Sequence, residues 1–218
     1  MTTDYISPDF ASAALITIDT QCDVLDGQPL EIAGTSAALP RMRLLLDAFR
    51  EAGAPIVHVV RLYVRDGSNA DLCRRAAIEQ GAVILAPGTP GSQLAPDLAP
   101  GPENQLDHEL LLAGGVQSLG EREVAIYKPR WGAFFDTPLE RHLNEMDCST
   151  LVFCGCNFPN CPRTSVYEAS ERDFRVVVVR DALSGLYGRG ERELENIGVE
   201  LLDAEQAVVS LASVGASA

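Results

Sequence analysis

Short runs of apolar residues alternate with segments of helical periodicity along most of the chain, and this alternation restricts the fold more than any other feature of the sequence. The apolar runs lie at 13–18, 55–60, 123–127, 150–154 and 175–179, with a candidate last strand at 207–209. The helical segments lie at 38–49, 70–79, 137–146, 162–174 and 189–203. Apolar strands that alternate with helices pair in parallel and are covered on both faces. We therefore predict an α/β fold, a three-layer α/β/α sandwich around a mainly parallel sheet of about six strands.

The domain organisation follows from the length and from one irregular stretch. A chain of 218 residues fits one large domain that carries insertions. The stretch at about 87–102 is rich in Pro and Gly and has no helical or strand periodicity, and neither flank looks self-sufficient. We predict a single domain over 1–218, with 87–102 as an ordered surface excursion rather than a linker.

The charge balance excludes several classes of partner. Seventeen Lys and Arg against 31 Asp and Glu give a formal net charge of −14, a field that repels phosphate backbones and anionic lipids. We predict that the protein binds neither nucleic acid nor a membrane. The N-terminus has no basic segment followed by a long apolar one, and no stretch reaches the ~18 apolar residues of a spanning helix. A cytoplasmic location is therefore expected.

The chain has six cysteines, and three of them crowd into eight residues. In a reducing compartment they are expected to be free thiols, ligands or nucleophiles rather than disulfide partners. Cys154, Cys156 and Cys161 form the pattern C-x-C-x4-C, and closely spaced cysteines of this kind are candidate zinc ligands. Cys154 ends a predicted strand and should point into the core, and no fourth ligand is near, so we predict no metal site. The other three cysteines are interpreted as structural: Cys22, Cys73 and Cys148.

Reactive side chains follow three of the predicted strands. Asp19 follows the first, Lys128 the third and Cys161 the fourth. In a parallel sheet, ligands bind outside the carboxyl ends of the strands, so all three should face one rim. Because Pro162 suits a first helical position, we place Cys161 at the helix N-cap, where the helix dipole and the Lys128 ammonium should lower its pKa. Asp19 could then take the thiol proton and return it to a leaving group.

Three segments of this chain resemble the signature regions of the isochorismatase-like cysteine hydrolases, in the same order. They are ALITIDTQCDV, YKPRWGAFFDTPLE and LVFCGCNFPNCPRTSVYEASERDFRVVVVRDALSG. The resemblance implies the isochorismatase-like hydrolase fold and a triad of Asp19, Lys128 and Cys161. It further implies that Cys161 attacks a small amide, carbamoyl or imide-like substrate to give a thioester that water hydrolyses. A homo-oligomer, a dimer or tetramer, is also implied.

The resemblance also implies a cis peptide in the turn before the nucleophile, between Cys156 and Asn157. A non-proline cis bond costs ~3 kcal/mol and persists only where it has a use. Its use would be to aim the amide of Asn157, with that of Cys161, at the developing oxyanion. Removing one such donor typically costs ~3 kcal/mol of transition-state stabilisation.

Departures from the family pattern narrow the expected chemistry. Nicotinamidases of the family hold a metal through Asp-x-His and a second His after strand two, whereas this chain reads RLYVRDGSNAD there. We therefore predict no metal and no cofactor. Isochorismatase itself lacks the nucleophilic cysteine and cleaves a vinyl ether, so Cys161 favours acyl chemistry. Two alternatives stay open: vinyl ether or ester hydrolysis of an isochorismate-like compound, and a non-catalytic binding protein on the same fold.

Residues near the predicted triad are candidates for substrate binding. Asp23 would orient Lys128 or cap the following turn, while Arg130 and Arg163 would grip a substrate carboxylate unless they are ordinary surface arginines. The aromatic residues after Lys128 would wall the pocket or belong to the core or a subunit interface. The three histidines, His58, His108 and His142, are interpreted as structural. The candidate set is Gln21, Asp23, Arg130, Trp131, Phe134, Phe135, Phe158 and Arg163.

Overall fold

A computed structural model describes residues 4–215 and contains a seven-stranded sheet. The strands are β1 (Ala13–Ile18), β2 (Ile56–Val60), β3 (Val116–Ser118), β4 (Glu123–Tyr127), β5 (Thr150–Gly155), β6 (Arg175–Leu183) and β7 (Glu200–Leu202). Their order across the sheet is β3-β4-β2-β1-β5-β6-β7. All neighbouring pairs are parallel except β3 with β4, which is antiparallel. The strand β1 therefore lies at the centre, where every one of its residues is buried.

Helices cover both faces of this sheet. They are α1 (Thr35–Glu51), α2 (Leu72–Glu79), α3 (His108–Leu112), α4 (Leu139–Glu145), α5 (Cys161–Ser170), α6 (Gly188–Glu195) and α7 (Ala204–Gly215). One core contains side chains of α1 and α7, and the opposite core contains side chains of α4, α5 and α6. The predicted three-layer α/β/α sandwich with a mainly parallel sheet is confirmed, with seven strands in place of about six.

The C-terminal part departs from the sequence prediction. The helix predicted over 189–203 ends at Glu195, and the chain forms the edge strand β7 before α7 begins. The strand predicted at 207–209 is wrong, because those residues lie inside α7. Ala204, Ala207 and Leu211 are buried at helical spacing, a period that a three-residue window could not reveal. The sequence reading also missed α3 and β3, which are too short to carry a periodic pattern.

The segment at 87–102 contacts the loop after β1 through Gln93 and Ala95 and reaches Arg50 of α1 through the carbonyl of Leu98. It contains one short 3-10 turn, Pro90–Ser92, and buries Leu94, Ala95 and Leu98. The amide of Ala95 donates to the carbonyl of Thr20 at 2.9 Å, so the excursion is fastened to the loop that follows β1. It therefore helps to position the edge where the reactive side chains lie.

A buried ionic network joins three neighbouring strands. The Glu123 carboxylate on β4 accepts hydrogen bonds from Arg50 Nε and Nη2 at 2.8 and 2.7 Å. His58 Nε2 on β2 lies 2.8 Å from the same carboxylate, and His58 Nδ1 lies 2.8 Å from Thr17 Oγ1 on β1. Burial opposes the ionisation of Glu123, but the hydrogen bonds from Arg50 and His58 outweigh it and lower its pKa from 4.5 to about 2.

Glu123→Gln is expected to lower the free energy of unfolding by about 3 kcal/mol at pH 7, because Arg50 loses its buried partner. The pKa of Glu123 is lower in the folded state, so its contribution is complete above the unfolded value of 4.5 and is lost as the pH falls toward 2. The difference between wild type and variant should therefore shrink by about 2 kcal/mol from pH 6 to pH 3.

Urea denaturation at both pH values measures this difference. Glu205→Gln is the matched control, since Glu205 pairs with Arg41 at the surface and should cost no more than about 1 kcal/mol. A Glu123→Gln penalty that is the same at pH 3 and pH 6 would show that the charge of Glu123 does not stabilise the fold.

Candidate active site

The three reactive side chains meet at the carboxyl edge of the sheet. Asp19 follows β1, Lys128 follows β4, and Cys161 is the first residue of α5, after β5. Lys128 Nζ lies 2.9 Å from Asp19 Oδ2, and both side chains are buried. Cys161 lines the same pocket as Asp19 and Lys128, and both charges act on its thiol. The structure thus brings together the three residues that the sequence placed on one rim.

The backbone at the ends of β1 and β5 explains how Asp19 reaches this position. Asp19 has a φ of +52°, a left-handed conformation that aspartate adopts more readily than most residues. Gly155, beside Ile18 in the sheet, has a φ of +123°. A Cβ at Gly155 would overlap the backbone oxygen and nitrogen of Ile18. Only glycine allows the two strand ends to approach this closely.

The turn between β5 and α5 carries two backbone amides that face the pocket. The predicted cis peptide between Cys156 and Asn157 is present. Asn157 and Cys161 both line the pocket, and within residues 4–215 their amide N–H groups donate to no protein acceptor. By contrast, the amide of Phe158 donates to the carbonyl of Ser184 at 2.8 Å. Two amides without an acceptor in the described part of the chain, beside the Cys161 thiol, are donors that can bind an anionic oxygen.

The resting state of Cys161 corrects the sequence prediction. Asn160 is the N-cap and Cys161 is the first helical residue, whereas the sequence prediction placed Cys161 at the N-cap. Burial, followed by the negative charge of Asp19, raises the pKa of Cys161 to about 12, and the nearby Lys128 lowers it too little to compensate. The expectation of a lowered pKa is wrong, because burial is the largest effect and the negative charge of Asp19, the partner of Lys128, also raises the pKa. The sulfur is therefore a thiol at rest.

Lys128 keeps its charge although its side chain is fully buried. Burial opposes the charged form, but the negative charge of Asp19 and its hydrogen bond outweigh this effect and raise the pKa of Lys128 above its usual value. The site therefore contains a carboxylate held by an ammonium group, beside a neutral thiol. A carboxylate so placed can accept the thiol proton when a substrate approaches.

A pocket of about 450 Å³, including its open mouth, lies in front of the triad. Four apolar side chains form part of its wall: Val24, Leu30, Ile32 and Leu85. Arg130 and Trp131, two of the predicted substrate-binding residues, also line it.

Four other predicted substrate-binding residues lie outside the pocket lining. The ring of Phe134 packs 5.9 Å from that of Phe174 in the core, while Phe135 is 56% exposed on the surface. Phe158 is fully buried, and Arg163 Nη2 forms an ion pair with Glu193 at 2.6 Å. These four side chains therefore lie in the core or at the surface, and we correct their assignment to the pocket.

Gln21 and Asp23 also lie outside the lining and serve the loops around it. Gln21 Nε2 donates to the carbonyls of Arg61 and Ser92 at 3.0 and 2.6 Å. Asp23 Oδ2 accepts a hydrogen bond from the amide of Leu85 at 2.5 Å. Asp23 therefore does not orient Lys128. Both side chains hold the segments that surround the pocket.

The sequence reading missed four polar pocket residues that follow β2. They are Arg61, Tyr63, Asp71 and Arg74. The Arg61 guanidinium is buried, stacks 4.3 Å from the ring centre of Tyr63 and donates to the carbonyl of Asn69 at 2.7 Å. The signal that could have found them is the position of the polar stretch RLYVRDGSNADLCRR directly after a strand, at the same sheet edge as Asp19 and Lys128.

Cys156 also lines the pocket, and its Sγ donates to the backbone carbonyl of Asp19 at 3.1 Å. The histidines and the cysteines other than Cys156 and Cys161 lie outside the pocket lining. His108 Nδ1 accepts a hydrogen bond from the amide of Gly88, and Cys154 is fully buried in the core. Within residues 4–215, no cluster of three or more His, Cys, Asp or Glu side chains could hold a metal ion. In the same part of the chain, no helix combines the length and hydrophobicity needed to cross a bilayer.

Comparisons with known proteins identify relatives of this chain. Residues 13–206 match the isochorismatase domain family. A protein of Arabidopsis thaliana described as a probable inactive nicotinamidase is 28% identical over 198 residues, covering 87% of this chain and 91% of its own. The ureidoacrylate amidohydrolase RutB of Methylobacterium radiotolerans is 27% identical over 191 residues, with coverages of 81% and 69%.

A solved structure supports the same relationship. An isochorismatase family protein from Desulfovibrio vulgaris superposes with a TM-score of 0.77 at 28% identity, covering 94% of this chain and 98% of that one. The family match spans most of the seven-stranded sheet and all three reactive residues. The chain belongs to the isochorismatase family of hydrolases, whose relatives include amidohydrolases.

Proposed function

We propose that the protein is a cysteine hydrolase that cleaves the C–N bond of a small amide, carbamoyl or imide-like substrate through a thioester. The observation that carries this proposal is the position of Cys161 in the same pocket lining as the Asp19–Lys128 ion pair, next to the free amides of Asn157 and Cys161. The amidohydrolase RutB among its relatives supports the same class of reaction.

The first half of the reaction forms the acyl-enzyme. The substrate carbonyl oxygen accepts hydrogen bonds from the amides of Asn157 and Cys161, while Cys161 Sγ forms a C–S bond to the carbonyl carbon. Asp19 takes the thiol proton during this attack, since the raised pKa leaves no free thiolate at rest. When the C–N bond breaks, the leaving nitrogen receives that proton from Asp19. Lys128 holds Asp19 in place throughout.

The second half returns the enzyme to its starting state. Water enters where the amine has left, and Asp19 accepts one of its protons as the oxygen attacks the thioester carbon. The C–S bond then breaks, the sulfur takes the proton back, and the acid product leaves. The thiol, the carboxylate and the ammonium are regenerated without a cofactor.

A binding protein without turnover is the second candidate function. The name of the Arabidopsis relative, a probable inactive nicotinamidase, favours it, and so does the raised pKa of Cys161. On that alternative the pocket would retain its ligand unchanged.

A panel of small amides and ureido compounds, read by released ammonia, tests the proposal. We expect ammonia from at least one compound with the wild-type protein and none with Cys161→Ala. Release of pyruvate from isochorismate, without ammonia from any amide, would favour ether cleavage. Ligand binding without any turnover would favour the binding protein.

A further inference from the structure

The pocket carries the opposite charge from the protein as a whole. The chain has a formal net charge of −14. The charged residues of the pocket lining are nevertheless four cations and two carboxylates: Arg61, Arg74, Lys128, Arg130, Asp19 and Asp71. A cationic pocket in a strongly acidic protein concentrates anions at that one place.

Two of the four cations have a carboxylate partner inside the pocket. Lys128 Nζ lies 2.9 Å from Asp19 Oδ2, and Arg61 Nη2 lies 3.5 Å from Asp71 Oδ2. The opposite charges within each pair cancel to a first approximation. The positive charges of Arg74 and Arg130 remain.

Neither of these arginines is paired with an acid elsewhere. Within residues 4–215, the Arg74 guanidinium has no hydrogen-bond or ion-pair partner, although it is half-buried. Arg130 Nη1 donates only to the uncharged carbonyls of Asn69 and Pro129, at 3.3 and 2.6 Å. Unpaired guanidinium groups on a pocket wall are the donors that bind a planar carboxylate.

Arg61 lies beside Arg130 in the pocket lining. The carbonyl of Asn69 accepts hydrogen bonds from both Arg61 Nη2 and Arg130 Nη1, so the two guanidinium groups are neighbours. Arg61 is buried and its Nε has no partner in the described part of the chain. Arg74 lies on α2, which follows the same loop, and it lines the same pocket.

We propose that the substrate carries a carboxylate at the end opposite its scissile bond, and that Arg74 and Arg130 bind this carboxylate. This inference rests on the proposed hydrolase function and narrows its substrates to small amides or ureido compounds with one acidic group. The apolar side chains of Val24, Leu30 and Ile32 would contact the short carbon chain between the two ends.

Two alkylating reagents that differ in charge measure the field at Cys161. Iodoacetate carries a carboxylate where iodoacetamide carries a neutral amide. The rates at which iodoacetate and iodoacetamide modify Cys161 at pH 8 are measured by mass spectrometry of the peptide that contains it. The iodoacetate rate is divided by the iodoacetamide rate, and this ratio is divided by the same ratio for 2-mercaptoethanol, which corrects for the intrinsic reactivity of the two reagents. We expect a normalised preference for iodoacetate of at least about fivefold, because two unpaired cations attract the anion.

Charge-neutral variants identify the source of this preference. The double variant Arg74→Gln/Arg130→Gln should bring the normalised ratio to within about twofold of one. Arg65→Gln is the matched control, since Arg65 is an exposed arginine of the same loop outside the pocket lining, and it should leave the ratio unchanged. Turnover should follow the same preference, with kcat/KM for succinamate about tenfold above that for its neutral diamide, succinamide.

The outcomes separate this inference from the proposed function. A wild-type ratio near one, or a high ratio that survives in the double variant, contradicts the carboxylate site. A high alkylation ratio without ammonia from any amide supports the carboxylate site and contradicts the hydrolase. Turnover of neutral amides together with an alkylation ratio near one supports the hydrolase and contradicts the carboxylate site. Because Cys161 is a thiol at rest, its modification at pH 8 is slow. If neither reagent modifies it, the kcat/KM ratio of succinamate to succinamide decides, and a ratio near one, or turnover of neither compound, contradicts the carboxylate site.

Discussion

Cys161→Ala is expected to abolish hydrolysis, by at least about 10³-fold in kcat, while the protein stays folded. The side chain of Cys161 is only partly buried and supplies the atom that forms the acyl bond, so its loss removes the reaction path and few packing contacts. Ammonia release measures the activity, and the thermal midpoint with far-UV circular dichroism measures the fold. Cys161→Ser should retain little activity, because a hydroxyl is far harder to deprotonate than a thiol.

Cys73→Ala is the matched control for these variants. Cys73 is an exposed cysteine on α2, outside the pocket lining, and its replacement should leave both activity and stability unchanged. Turnover close to wild type in Cys161→Ala would assign the nucleophile to another group.

Asp19→Asn is expected to remove activity and to destabilise the fold by about 3 kcal/mol. It eliminates the base and also leaves the Lys128 ammonium uncompensated in a fully buried position. The double variant Asp19→Asn/Lys128→Met should recover most of the lost stability and none of the activity, because the unpaired charge is gone while the base is still absent. Urea denaturation and ammonia release are measured on both variants.

Asp47→Asn controls for the loss of an ordinary carboxylate. Asp47 pairs with Arg43 at the surface of α1, and its replacement should change the free energy of unfolding by no more than about 1 kcal/mol. A double variant no more stable than Asp19→Asn alone would mean that the pair does not act through its charges.

The strands and the position of the reactive rim could be predicted because each depends on a local pattern. The six residues of β1 are apolar and all buried, so their run marks a central parallel strand without further information. Asp19 and Lys128 each follow directly after such a run. Strand ends that share one edge then place their side chains together, whatever the loops do.

The lining of the pocket could not be predicted in the same way, because it depends on the directions of side chains in loops. Trp131 faces the pocket, whereas Phe134 and Phe135, three and four residues later, face the core and the surface. Arg61 and Arg74 reach the site through a loop and a short helix that carry no catalytic motif. Composition and spacing do not encode these directions.

The chemistry of Cys161 shows a limit of a different kind. Its helix position and its lysine neighbour were both foreseeable, and each alone would lower the pKa of the thiol. The opposite result follows from burial and from the negative charge of Asp19, the partner of Lys128. A sequence cannot supply the balance between these opposing effects. The dimer or tetramer expected from the family resemblance stays a prediction.

The central claim is that Cys161 carries the acyl group between the two halves of the reaction. The most direct measurement is mass spectrometry of peptides from protein quenched in acid during turnover of an amide. We predict that the peptide containing Cys161 gains the mass of the substrate acyl group, and that Cys161→Ala shows no such gain. Product that accumulates while Cys161 stays unmodified at every quench time, from milliseconds onward, would contradict the account.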